Sequence, residues 1–164
     1  MYRAVIITAS DSGFAGIRED KSGPVIRETL TRAGYETVRY VLLPDDREKL
    51  SEEMRRVCDE KEADIIFTTG GTGFSRRDCT PEATRDIICR EVPGIPEAMR
   101  YFALSLTPRA MLSRAAAGIR GDTLIVNLPG SPKAARECLE YILPSLAHGL
   151  DILIGTASEC ARQN

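Results

Sequence analysis

RAVIITA, residues 3–9, is a continuous apolar stretch near the start of the chain. Such a run is typical of a strand that is buried on both faces of a parallel sheet. The segment KSGPVIRETLTRAG (21–34) follows and predicts a helix. Ser22 can cap this helix, Pro24 suits its first turn and Gly34 ends it. The chain therefore begins with a strand and then a helix.

The same alternation continues along the chain. ETVRYVLL (36–43) is rich in β-branched and aromatic residues, which predicts a second strand. REKLSEEMRRVCDEKEA (47–63) is amphipathic and predicts a helix, and DIIFTT (64–69) predicts a third strand. Strands that alternate with helices indicate a parallel sheet with right-handed crossovers and helices on both faces.

The second half of the chain predicts three more helices and a pair of strands. The helices are expected at 81–92, with Thr80 as the cap, at 96–106, and at 132–154, where Pro144 bends or divides the helix. The segment 114–130 predicts two antiparallel strands around a tight turn at Gly121. We therefore expect an α/β fold, a three-layer α/β/α sandwich whose mostly parallel sheet carries an antiparallel strand, in one domain spanning 1–164.

Composition excludes several classes of function. The net charge is −2 and the pI is about 5.6, so no broad basic surface for nucleic acid or anionic membrane is expected. No apolar run approaches the roughly 20 residues that a membrane-spanning helix needs. The N-terminal segment lacks a small-residue cleavage pattern and is interpreted as a strand, not as a signal peptide. These features predict a cytoplasmic protein.

The cysteines fit the same interpretation. Their number, five, is odd, they form no CxxC pair, and the chain has one histidine, His148. A zinc site of the usual spacing is therefore not expected. The odd number of cysteines instead indicates a reducing compartment. Cys58, Cys89 and Cys138 fall in helical patterns and are predicted to be small core residues.

Four polar loops follow predicted parallel strands. They are TASDSG (8–13), PDD (44–46), TTGGTGFSRRDCT (68–80) and NLPGSPK (127–133). The carboxyl ends of parallel strands lie at one edge of a sheet, where open α/β proteins bind their ligands. We therefore expect these four loops to form one site.

The loop TTGGTGFSRRDCT combines glycine with arginine. It matches neither the GxGxxG dinucleotide fingerprint nor the Walker A pattern GxxxxGK[ST]. Its glycines can still turn backbone N–H groups toward an anion, and its threonines and arginines can hydrogen-bond phosphate oxygens. The predicted phosphate ligands are Thr69, Gly70, Gly71, Thr72, Gly73, Arg76 and Arg77. The alternative is an ordinary surface turn with solvated arginines.

Acidic residues accompany this loop. Asp78 follows the two arginines, and Asp45 and Asp46 lie in the loop after the second strand. Carboxylates beside phosphate-binding groups make sense when Mg²⁺ is bound between them. The alternative is that these acids cap helices. Ser131 and Lys133, near a helix N-terminus, can likewise bind phosphate. Ser131 can also be an ordinary helix cap, and the two roles are compatible.

Several long motifs together resemble the MogA/MoaB family of molybdenum cofactor biosynthesis proteins. They are LPDD, TTGGTGFSRRDCTPEAT, VPGIPEAMR and MLSRAAAGIRGDTLIVNLPGSPKA. The resemblance extends over nearly the whole chain, from ITASDS to HGLDIL (148–153). It implies an α/β/α sandwich, assembled as a homotrimer or hexamer, that binds molybdopterin.

Active members of this family transfer the adenylyl group of Mg-ATP to the terminal phosphate of molybdopterin and release pyrophosphate. The product then receives molybdate or tungstate from a separate metal-insertion protein. The resemblance implies that Asp45 and Asp78 are the catalytic residues and hold Mg²⁺. It also implies a substrate site that includes Ser10, Asp11, Thr69, Gly70, Gly71, Thr72, Gly73, Arg76, Arg77, Ser113, Arg114, Asn127, Pro129, Gly130, Ser131 and Lys133.

Two alternatives stay open within this resemblance. MoaB-like members can bind molybdopterin without catalysis, and the gephyrin branch uses related domains as scaffolds in longer proteins. The presence of both Asp45 and Asp78 favours the enzyme. The sequence does not distinguish molybdenum from tungsten, or the loop for adenine from the loop for pterin.

Overall fold

The computed structural model describes residues 1–156 as a mixed sheet between two layers of helices. The strands of this region are β1 (Arg3–Ala9), β2 (Glu36–Leu43), β3 (Ile65–Thr69), β4 (Arg90–Glu91), β5 (Ala117–Arg120) and β6 (Thr123–Leu128). The helices are α1 (Asp11–Phe14), α2 (Ser22–Arg32), α3 (Arg47–Asp59), α4 (Thr80–Arg85), α5 (Gly94–Leu104) and α6 (Pro132–Leu153), with a 3₁₀ helix at Pro108–Leu112.

The sheet has the strand order β2-β1-β3-β6-β5-β4. The four strands β2, β1, β3 and β6 run parallel, whereas β5 is antiparallel to both of its neighbours. Alternate residues of each parallel strand point to opposite faces. Ile6 and Phe67 therefore pack in a core with α2, α5 and α6, while Val5 and Ile66 pack in a second core with α3 and α4. This confirms the predicted three-layer α/β/α sandwich with an antiparallel strand.

Several predicted elements have different ends in the structure. The helix expected at 81–92 ends at Arg85, because Arg90 and Glu91 leave it to pair with β5 as the short edge strand β4. The helix expected from 96 already begins at Gly94, and α6 runs through Pro144 without being divided. Cys89 lies in the irregular segment before β4 and is exposed, so its predicted core position is wrong.

The predicted caps also differ. Ser22 is the first residue of α2, and its cap is the Asp20 carboxylate, which accepts hydrogen bonds from the N–H groups of Ser22 (2.9 Å) and Gly23 (3.1 Å). Thr80 is likewise the first residue of α4, after Cys79. Among residues 1–156, no helix has the length and apolar character needed to span a membrane.

Candidate active site

Four loops meet at the carboxyl edge of the parallel strands. The strands β1, β2, β3 and β6 deliver them side by side, since β1 lies between β2 and β3 and β3 lies between β1 and β6. The prediction that these loops form one surface is therefore confirmed. This edge is where the open α/β architecture leaves room for ligands.

The glycine run, residues 70–73, needs glycine because of what lies against it. Gly70 and Gly71 have φ values of +90° and +67°, in the left-handed region that favours glycine. A β-carbon on Gly70 would lie 2.3 Å from the carbonyl oxygen of Ala9. A β-carbon on Gly130 would lie 3.2 Å from the α-carbon of Gly70. The backbones of the β1, β3 and β6 loops are therefore in direct contact.

Asp45 is held in place by Asp11. The Asp11 N–H donates to Oδ2 of Asp45, and the Asp45 N–H donates to Oδ1 of Asp11, both at 3.0 Å. Burial raises the pKa of the Asp45 carboxyl group, and the nearby negative charges of Asp11 and Asp78 add to this effect. Asp46, its neighbour, caps α3 by accepting the N–H of Lys49 at 3.0 Å. Asp45 is thus the acid of this loop that faces the site.

Asp78 lies beside Gly73, the last residue of the glycine run. Its Oδ2 accepts the N–H of Ser75 at 3.1 Å and would lie 2.9 Å from a β-carbon on Gly73. Arg77 turns away from Asp78 and makes two hydrogen bonds to Asp11, at 2.9 and 3.0 Å. This contact lowers the pKa of Asp11. The other predicted cation of this loop, Arg76, is exposed.

Arg114 closes the loop from the opposite side. Its Nε donates to the carbonyl oxygen of Gly73 at 2.7 Å, and its guanidinium also binds the carbonyl oxygen of Asp78 and the carboxylate of Glu82. Its backbone N–H donates to the carbonyl oxygen of Thr72 at 2.9 Å. Arg114 therefore fixes the shape of the glycine run. Ser113 precedes it and lines a cavity described below.

Hydrogen bonds from the end of β6 and from the loop after it connect this region to its neighbours. Asn127 is fully buried, and its amide binds the N–H of Ala116 and the hydroxyls of Thr68 and Thr84. The carbonyl of Pro129 accepts the hydroxyl of Thr69 at 2.7 Å. The predicted site residues Gly130, Ser131 and Lys133 then follow at the start of α6.

The start of α6 is open to the site. Ser131 caps the helix by accepting the N–H of Ala134 at 3.5 Å, which confirms the predicted role of Ser131 as a helix cap. Lys133 is 79% exposed and lies 3.9 Å from Glu137, one turn along the helix. The carbonyl of Gly130 accepts the hydroxyl of Ser22 at 2.6 Å, which connects the β6 loop to the start of α2.

Two cavities lie on either side of the glycine run. The first, about 790 Å³, is the β1-side cavity, and its lining includes Ser10, Gly70, Gly130 and Ser131. The second, about 290 Å³, is the α5-side cavity, and its lining includes Thr72, Gly73, Ser113 and Pro129. The glycine run and the β6 loop thus form a wall between two spaces of ligand size.

The cations that line these cavities are different from the predicted ones. Arg18 and Lys21 line the β1-side cavity, and Arg100 and Arg109 line the α5-side cavity. Sequence reasoning missed all four because they lie outside the strand-end loops. It also missed Asp20, although an aspartate two residues before the first helical residue, Ser22, is a recognisable capping signal.

The binding roles assigned to individual residues stay predictions. The structure brings Asp45, Asp78 and the glycine run together at one edge. It uses Arg77 and Arg114 in contacts within the protein.

Comparison with known proteins gives concordant matches. A family model described as a probable molybdopterin binding domain matches residues 5–148. The chain is 39% identical over 161 residues to the molybdopterin adenylyltransferase of Helicobacter pylori strain J99, a match that covers 97% of this chain and 92% of that protein.

Solved structures agree with these matches. The molybdopterin biosynthesis enzyme MoaB of Thermus thermophilus is 50% identical with a TM-score of 0.90, covering 94% of this chain and 98% of that one. The tungsten cofactor synthesizing protein MoaB of Pyrococcus furiosus is 35% identical with a TM-score of 0.84, covering 93% and 97%. The similarity therefore extends over the strands and over the loops at their carboxyl edge.

Proposed function

Because the chain belongs to the family of molybdopterin-binding domains that includes the MogA and MoaB proteins, we propose that it is a molybdopterin adenylyltransferase. It transfers the adenylyl group of Mg-ATP to the terminal phosphate of molybdopterin and releases pyrophosphate. One observation carries this proposal: Asp45 borders Gly71 and Asp78 borders Gly73, in a glycine run that separates two cavities. A reaction between two bound substrates needs two adjacent spaces. Arg100 and Arg109 line the α5-side cavity, and the β1-side cavity is lined by Arg18 and Lys21 together with Glu19 and Asp20.

The acidic groups fit Mg²⁺ that arrives with the nucleotide. Mg²⁺ is usually held by one or two carboxylates together with substrate phosphates and water. Within residues 1–156, no group of three or more His, Cys, Asp or Glu side chains could hold a metal ion by itself. Asp45 and Asp78 are therefore suited to share Mg²⁺ with a triphosphate. Bound there, Mg²⁺ would neutralise charge on the phosphates.

The proposed chemistry needs little from the protein beyond alignment and charge. A phosphate monoester is largely ionised at neutral pH, so its oxygen is already a nucleophile. That oxygen forms a bond to the α-phosphorus of ATP, and the bond from this phosphorus to the bridging oxygen breaks. The electron pair leaves with pyrophosphate.

The protein's own groups would align these reactants. The backbone N–H groups of the glycine run and of the start of α6 can bind phosphate oxygens. Arg100 and Arg109 add positive charge to the α5-side cavity, where an anionic substrate would bind. In the β1-side cavity the charges of Arg18 and Lys21 are balanced by Glu19 and Asp20. Fixed alignment of two bound reactants accounts for much of the rate that such a site can provide.

The rest of the functional context is proposed from the same premise. One domain carries both substrates, in a homotrimer, and the product passes to a metal-insertion protein. The proposed trimer is supported by large apolar side chains that are exposed on or just beyond α5, namely Tyr101, Leu106 and Met111. We place the reaction in the cytoplasm, where the free thiols of the cysteines described within 1–156 are maintained.

A second candidate function is molybdopterin binding without catalysis. Its basis is the MoaB name of a 50% identical protein, although that same protein is described as a molybdopterin biosynthesis enzyme. Pyrophosphate release distinguishes the two candidates. Pyrophosphate is released by the enzyme and is not released by a binding protein.

The test uses purified protein with Mg-ATP and molybdopterin. We expect the natural protein to release pyrophosphate, and we expect Asp78→Asn to abolish release while molybdopterin binding is retained. Asp122→Asn is the matched control, since Asp122 lies in the turn between β5 and β6 and is exposed. Absence of pyrophosphate from the natural protein, with molybdopterin bound, would establish the second candidate instead.

A further inference from the structure

The Thr80 hydroxyl is a buried polar group without a hydrogen bond. The residue is 0% exposed, and within residues 1–156 its Oγ1 has no partner. Thr84, one turn further along α4, is equally buried, but its hydroxyl donates to the Thr80 carbonyl at 3.0 Å and accepts from Asn127 at 2.8 Å. An unpaired buried hydroxyl destabilises a fold. A position that only had to fill this volume would be served better by valine.

This hydroxyl lies against the glycine run. A β-carbon on Gly71 would lie 2.3 Å from Oγ1 of Thr80 and 3.1 Å from Oδ1 of Asp45. Glycine at this position therefore leaves open a space that both oxygens border. The backbone holds Thr80 there, because its N–H donates to the Gly71 carbonyl at 3.1 Å.

The two oxygens of Asp45 have different surroundings. Oδ2 accepts the N–H of Asp11 at 3.0 Å. Oδ1 is the oxygen that borders the space beside Gly71, together with the unpaired hydroxyl of Thr80. A hydroxyl donor and a carboxylate oxygen thus border the same gap. A hydrogen bond to an ionised group is stronger than one between neutral groups.

We propose that Thr80 is a positioning residue for adenylyl transfer: when substrates bind, its hydroxyl donates a hydrogen bond to Oδ1 of Asp45 and fixes that carboxylate. The proposal rests on the proposed function and deepens it. Asp11 then fixes one oxygen of Asp45 and Thr80 the other. The cost of the unpaired hydroxyl in the free protein is recovered in the loaded site.

The test compares Thr80→Val, Thr80→Ser and Thr84→Val. For each variant, urea denaturation of the free protein gives stability, and pyrophosphate release gives kcat and KM for Mg-ATP. We expect Thr80→Val to be at least as stable as the natural protein, because valine removes an unpaired hydroxyl. We expect its kcat to fall about 10- to 100-fold, the loss associated with one hydrogen bond to a charged group, with a smaller change in KM.

The other two variants separate positioning from packing. Thr80→Ser keeps the hydroxyl, so we expect it to recover most of the kcat that valine loses. Thr84→Val removes a hydroxyl that is hydrogen-bonded to the Thr80 carbonyl and to Asn127, so we expect it to lower the urea midpoint.

Two results would overturn the role of Thr80 alone. In the first, the natural protein is active and Thr80→Val has the same kcat. In the second, Thr80→Val loses as much stability as Thr84→Val, which would mean that the Thr80 hydroxyl has a structural partner. A natural protein that releases no pyrophosphate overturns the proposed function first and this role with it, so the two failures can be told apart.

Discussion

Replacing Asn127 with alanine tests whether this residue acts through the fold. The side chain is fully buried and makes three hydrogen bonds: it accepts the N–H of Ala116 at 3.1 Å and donates to Thr68 at 2.9 Å and Thr84 at 2.8 Å. These contacts connect β6 to β3, to α4 and to the start of β5. They occupy the amide oxygen and both amide hydrogens, so the group has little left to offer a ligand.

The size of the effect follows from these contacts. Asn127→Ala loses three hydrogen bonds and leaves buried partners unpaired, and each such loss costs about 1–2 kcal/mol. We therefore expect the free energy of unfolding to fall by roughly 3–5 kcal/mol, a large part of the about 5–15 kcal/mol that stabilises a typical domain. The corresponding decrease in Tm is roughly 8–15 °C for a protein of this size.

The assay is urea denaturation followed by circular dichroism, with no ligand present. Ser131→Ala is the control from the same loop, because Ser131 is an exposed helix cap with a 3.5 Å hydrogen bond and should cost at most about 1 kcal/mol. An Asn127→Ala variant that loses less than about 1 kcal/mol would refute the reasoning. The predicted role of Asn127 in substrate binding would then be the better explanation of this residue.

Two further predictions concern the surface. Contact with Arg77 lowers the pKa of Asp11, so this pair contributes stability above about pH 4 and loses it as pH falls through the lowered pKa. The Tm of the natural protein should therefore exceed that of Arg77→Gln at pH 7. This difference in Tm should disappear toward pH 2. A gap that is the same at both values would contradict this sign. If the exposed face of α5 forms the trimer, Tyr101→Glu should convert a trimer to a monomer in sedimentation equilibrium, whereas a monomeric natural protein would rule the assembly out.

Much of the fold is predictable because its signals are local. The apolar run at 3–9 and the strand at 36–43 have the predicted ends, since Gly34 stops the helix between them and Pro44 ends the second strand. The convergence of four loops then follows from parallel pairing alone. Local pattern and sheet topology are sufficient for the architecture and for the convergence of the four loops.

The details that sequence reasoning missed depend on contacts between distant residues. Arg90 and Glu91 form a strand only because β5 offers a pairing edge, so nothing in their own propensity marks them. Arg77 donates its hydrogen bonds to Asp11, which is 66 residues away along the chain, and not to the adjacent Asp78. Such pairings are determined by how the loops pack, and a loop's composition does not specify them.

The pairing of cations with acids changes the interpretation of the arginines most. Arg77 is predicted to bind phosphate because it follows the glycine run, and Arg114 is placed in the substrate site by the family resemblance. The structure uses them to hold the Asp11 carboxylate and the carbonyl of Gly73, respectively. Cations that line the cavities, such as Arg18 and Arg100, come from segments that carry no strand-end signal.

The central claim is that this site joins two substrates. The most direct measurement is mass spectrometry of the pterin after the purified protein is mixed with Mg-ATP and molybdopterin. We predict adenylylated molybdopterin and an equal amount of pyrophosphate, with neither formed by Asp78→Asn. Recovery of bound but unmodified molybdopterin from the natural protein, with no pyrophosphate, would contradict the claim.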